Sequence, residues 1–159
     1  MRRFFGLTLL VVMLAVALMA ADEKPWFDME KCGYCCVLMK NPELLPNTDW
    51  EHHKISNGVM SVTTVKQAYK KDWDEAMAAM IAIGKKAEAG EVVHMCGMCE
   101  SMGALIMKGA RMESVDTKHG NVLLLISDDP AVVAEIHAWT DHTNTEHAKI
   151  EAEQKEKTE

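Results

Sequence analysis

The sequence predicts an α+β fold: antiparallel hairpins with helices packed on one face, built from two copies of one unit. Two observations carry this. "CGYC" (32–35) lies over "CGMC" (96–99) at an offset of 64, and the segments that follow each motif match in order, with Cys-to-Gly spacings that agree within two residues. The hydrophobic pattern within each copy also changes in the same sequence, from helical spacing to alternation and back to helical spacing.

The elements can be justified in chain order. Each motif leads into a short apolar stretch ending in Lys, "CVLMK" (36–40) and "SMGALIMK" (101–108), which reads as a short helix. Polar, alternating segments follow, "EHHKISNG" (51–58) and "MESVDTKHG" (112–120). Asn57-Gly58 and His119-Gly120 favour positive φ at tight hairpin turns. The Val-, Thr- and Leu-rich runs "VMSVTTV" (59–65) and "NVLLLIS" (121–127) suit return strands. The distance from the first Cys to the turn Gly is 26 residues in one copy and 24 in the other. Helical patterns close each unit. Trp73, Met77, Met80 and Gly84 recur on one face, with an end near Gly90, and Val132, Val133, Ile136 and Thr140 do the same. Asp128 or Asp129 supplies a cap, and Pro130 stands in the first turn. The first copy carries "KQAYKK" as an insert before its helix. A leading strand at 91–95 would add a fifth to the sheet. His137–Asp141 and His142–Glu146 are i,i+4 pairs, the pattern of a solvated helix face.

The organisation expected is a signal peptide over 1–21, one domain over 22–150 made of pseudo-repeats 27–90 and 91–150, and a charged tail over 151–159. Arg2 and Arg3, an apolar run from Phe4 to Met19, and Ala20-Ala21 before "DEK" have the layout of a cleaved secretory leader. The apolar run is short for a membrane span. No Cys follows it closely, which argues against a lipid-anchored start. The expected location is a bacterial periplasm or the exterior, without stable membrane association after cleavage. The formal charge is −7; without Arg2 and Arg3, 15 basic residues face 24 acids, giving −9. That sign argues against nucleic acid or an anionic surface as partner.

Five Cys in an exported chain must be paired, metallated or protected. A Cys-x-x-Cys turn puts two sulfurs on one small loop. Two such turns supply four thiolates, a set that suits Zn, or Cu(I) at lower coordination. The candidate ligands are Cys32, Cys35, Cys96 and Cys99, with His94 as the best additional ligand. His52 and His53 point to opposite faces of a strand, and His119 lies in a turn. Cys36, whose counterpart is Glu100, is left over. Trp26, near Cys32, is placed to shield the first loop. The leading function is a non-enzymatic, exported metal carrier, buffer or sensor, with a metal ion and a periplasmic protein as partners. The same atoms also permit thiol–disulfide exchange at a helix start, which would make the protein an oxidoreductase, or purely structural disulfides.

Residues 91–140 also resemble the heavy-metal-associated metallochaperone domain. "VVHM" matches its first strand, "CGMCESMGALIMK" its metal loop and helix, "GARMESVDTKHGNVLLLIS" its central hairpin, and "DDPAVVAEIHAW" its second helix. The resemblance implies a ferredoxin-like arrangement and a soft cation such as Cu(I) on Cys96 and Cys99. The chain departs from the family at His94, where Met is usual two residues before the first Cys, and in lacking the closing strand.

Overall fold

A computed structural model of the chain describes residues 24–156. The leader expected at 1–21 and the last three residues of the tail lie outside the described residues. Four strands form one antiparallel sheet: β1 (Thr48–Ile55), β2 (Gly58–Val65), β3 (Arg111–Thr117) and β4 (Gly120–Ile126), in the order β1-β2-β4-β3. Among the described residues, three α-helices accompany it: α1 (Lys70–Glu88), α2 (Gly97–Met107) and α3 (Pro130–Glu156). Among the described residues, no helix is long and apolar enough to cross a membrane.

Each hairpin closes through a two-residue turn, with Ile55 opposite Gly58 and Thr117 opposite Gly120. Both glycines are therefore the first residues of the return strands, with φ of 154° and 149°. The positive φ expected from the sequence is present, and there is a second reason for glycine. The hairpins join through β2 and β4, centred on Val62 opposite Val122. That pairing would put a Cβ at Gly58 2.1 Å from the Leu125 oxygen, and one at Gly120 2.0 Å from the Thr63 oxygen. The turns also bond across the seam. Ser127 N–H donates to Asn57 O at 2.9 Å, and Val65 N–H to His119 O at 2.6 Å.

Alternation along β2 decides which face is covered. Val59, Ser61, Thr63 and Val65 are buried, whereas Met60 and Val62 are half-buried and Thr64 is exposed. All three helices reach the buried face. Leu105 of α2 and Val132, Ile136 and Trp139 of α3 pack with Val59 and Leu125 in one core. Trp73 and Ala76 of α1 pack with Val37, Leu38, Leu44 and Val65 in another. β3 is exposed along its length and forms an edge. Asp129 caps α3, its carboxylate accepting from Ala131 N–H at 2.8 Å, with Pro130 in the first turn as expected.

The short helix expected after the first motif forms as a six-residue 3-10 helix, Cys35–Lys40, whereas its counterpart is the α-helix α2. Pro42 disfavours helical backbone at Asn41, which is extended at φ −119°, ψ 104°. The "KQAYKK" segment is no separate insert: it forms a 3-10 turn, Gln67–Tyr69, that runs into α1 at Lys70. The fifth strand at 91–95 does not form. Its His94 carbonyl is bonded to Gly33 N–H, away from the sheet. His137 is half-buried: Nε2 stands 3.0 Å from both Ile55 O and Gly58 O at the end of the first hairpin, and Asp141 pairs with Lys54 instead. Of the charged tail, residues 151–156 continue α3.

Candidate metal centre

The two Cys-x-x-Cys motifs are shaped differently but are held by reciprocal contacts. The first follows an Asp turn. Lys31 N–H donates to the Asp28 carboxylate at 2.9 Å, and Cys32 N–H to the Asp28 carbonyl at 3.1 Å. Cys36 N–H then bonds Cys32 O at 2.9 Å. The second motif opens α2, with Cys96 at the N-cap in extended backbone (φ −72°, ψ 171°). The first amides of a helix have no partner within it. Here Gly97 N–H donates to Pro25 O and Met98 N–H to Trp26 O, both at 3.0 Å. Gly33 N–H donates to His94 O at 2.8 Å. Each motif's glycine thus lies against the segment that precedes the other motif. A Cβ at Gly33 would stand 2.6 Å from Val93 Cγ1, and one at Gly97 would stand 3.3 Å from Pro25 O and Trp26 Cα. Close approach explains glycine at both positions.

This crossing brings together the four predicted thiols. Cys32, Cys35, Cys96 and Cys99 are all buried, and their sulfurs lie within 4.8 Å of one another. The Cys35 sulfur is 3.9 Å from that of Cys96 and 3.7 Å from that of Cys99. A tetrahedron with metal–sulfur bonds of about 2.3 Å has sulfur–sulfur edges of about 3.8 Å. These separations far exceed the roughly 2.05 Å of a disulfide, and all five cysteines are free. His94 is exposed and is not in the four-sulfur group. Cys36 also stands outside it, its thiol directed to Gly33 O at 3.4 Å.

Cys35, Cys96 and Cys99 are close enough to titrate as a set. Hydrogen bonds from Cys35 and Cys99 pull the Cys96 thiol far below the usual range. Cys35 and Cys99 are pushed up, first by the hydrogen bonds in which they act as donors and then by burial. Metal binding needs thiolates, so a cation bound here would displace thiol protons.

Four partly buried side chains surround the sulfurs: Met29, Tyr34, Met95 and Met98. Burial first, and then its position beside the cysteine cluster, raises the Tyr34 phenol above its usual range. Sequence reasoning did not single these residues out. Tyr34 and Met98 occupy the variable third position of each motif, which was the available signal. Trp26 shields the second loop, not the first: its backbone lies on Gly97, and its ring meets His142 edge-on at 4.1 Å. Two surface clefts, one beside the 3-10 helix Cys35–Lys40 and α1, the other between α2 and α3, include none of the four cysteines. All four cysteines of the cluster are buried, which suits a bare ion better than an organic ligand. The chain matches no family model, no curated protein and no solved structure.

Proposed function

We propose that this is an exported metal-binding protein that holds one soft cation, Cu(I) or Zn, on Cys32, Cys35, Cys96 and Cys99, and acts as a carrier, buffer or sensor. The supporting observation is the sulfur geometry: one loop's Cys35 lies 3.9 and 3.7 Å from both cysteines of the other loop. Such edges fit one shared ion. The internal duplication is part of the same proposal, since two copies facing each other would supply two sulfurs apiece. The leader-like N-terminal sequence supports it too, because a bound ion would protect exported thiols that would otherwise oxidise.

The test is stoichiometry. The protein should bind one Zn or Co(II) per chain, with the charge-transfer absorption of a four-thiolate cobalt site. Replacing Cys96 and Cys99 together by Ser should abolish that binding. Loss of only half would mean two independent loops, and thiols reactive only after reduction would mean disulfides.

A second reading, thiol–disulfide exchange, draws on Cys96 at a helix N-terminus with its thiol pulled down. It requires an accessible attacking sulfur, whereas Cys96 is 1% exposed. Turnover of a small disulfide substrate by the metal-free protein would favour it.

A further inference from the structure

The four cysteines are bordered by three thioethers, and the placement of these is specific. Met29 precedes the first motif, Met95 immediately precedes Cys96, and Met98 lies between Cys96 and Cys99. All three are half-buried and packed on the sulfur cluster. Met29 also packs on the core that contains α1, and Met98 on the core that contains α3. The apolar side chains packed on the sulfur cluster are these three methionines and Tyr34.

That shell treats the two candidate ions differently. Zn on four thiolates leaves a net charge of −2 among apolar side chains, and buried charge without compensation is costly. Cu(I) is satisfied by fewer thiolates and leaves less charge behind. Thioether sulfur is soft and uncharged, a donor that suits Cu(I) and serves Zn poorly. Methionine is also unbranched and adapts its side chain at low cost. A thioether beside a thiolate can therefore take over one bond to a departing ion before an outside ligand arrives.

We infer that Met29, Met95 and Met98 are exchange ligands through which Cu(I), specifically, enters and leaves the four-cysteine site. This deepens the proposed function and rests on it. In each step a copper–thiolate bond breaks as a copper–thioether bond forms. Copper stays in the +1 state, and the freed thiolate takes a proton from water.

The experiment loads the full chain with Cu(I) or Zn and follows release to a chromophoric chelator for that ion under anaerobic conditions. It compares the wild type with the M29L/M95L/M98L variant, in which each side chain is replaced by one of similar volume. Cu(I) release should slow at least tenfold, with Zn release changed less than twofold. Unchanged Cu(I) release would overturn the inference. So would an equal change for both ions, because that would report altered packing. If the triple variant fails to fold, M95L carries the test, since Met95 belongs to neither core; its Cu(I) release should slow at least threefold with Zn release unchanged, and no slowing would overturn the inference. Failure of the underlying site looks different: the wild type would then bind neither ion.

Discussion

A methyl group at Gly58 or Gly120 would sit about 2 Å from a backbone oxygen of the neighbouring strand, 2.1 Å from Leu125 O in one case and 2.0 Å from Thr63 O in the other. Backbone cannot yield as a flexible side chain can. The strained φ adds to the cost. Gly58→Ala or Gly120→Ala should therefore destabilise the fold by about 2 kcal/mol or more, read as a lower urea midpoint. His52 offers a second test at this scale. Burial first, and then the nearby His147 and His53, hold its imidazole below the ordinary range, and its Nδ1 lies 2.7 Å from Ser61 Oγ. A depressed folded pKa means that the unfolded chain binds the proton more readily. The stability associated with neutral His52 is thus fully present above about pH 6.5 and is lost as pH falls through the folded value. Urea midpoints measured with chelator present should drop on going from pH 7.5 to 5, and His52→Gln should reduce that drop.

At the scale of elements, the segment before the first motif behaves as part of α2. Pro25 and Trp26 carbonyls satisfy the opening amides of that helix, Lys24 pairs with Glu100, and the Trp26 ring packs on the core formed with Trp139. Trp26→Ala should cost about 2 kcal/mol, below the usual price of a fully buried Trp because this one is half-buried. It should also loosen the cover over Cys96 and Cys99. Their alkylation by iodoacetamide in the metal-free protein should accelerate at least fivefold, while Cys36, outside the cluster, should keep its rate. The same scale shows why the strand expected at 91–95 does not form. Nothing within "EVVHM" reveals that the His94 carbonyl accepts from Gly33 N–H and that Glu91 N–H donates to Lys86 O, not to a strand.

Over the whole molecule, the sulfur cluster stands between two cores. Met29 is shared with one and Met98 with the other, and the β2–β4 seam also ties together the segments that carry the two motifs. An ion on all four sulfurs would couple those segments. At free ion about 1,000 times its dissociation constant, linkage predicts about 4 kcal/mol of added stability. Thermal unfolding should accordingly rise by several degrees with Zn or Cu(I) and return to the metal-free value with chelator. Cys96→Ser with Cys99→Ser should remove the rise.

Much of this was legible before any coordinates. Cysteine spacing singled out the four thiols that cluster, Asn57-Gly58 and His119-Gly120 located both hairpins, and Asp128-Asp129-Pro130 marked the start of α3. These are local signals: a turn, a cap or a pair of thiols three apart is specified by the residues that form it. Other features depend on partners distant in the chain. His94 has a ligand's spacing, yet its carbonyl is spent on Gly33 and its ring faces solvent. His137 lies in what reads as a solvated pair, yet it meets Ile55 O and Gly58 O across the fold. The clearest case is Gly33 and Gly97, which nothing nearby in sequence requires. Each is glycine because the backbone before the other motif passes within van der Waals distance. That crossing depends on long-range packing, and it brings two separate pairs of thiols into one four-sulfur cluster.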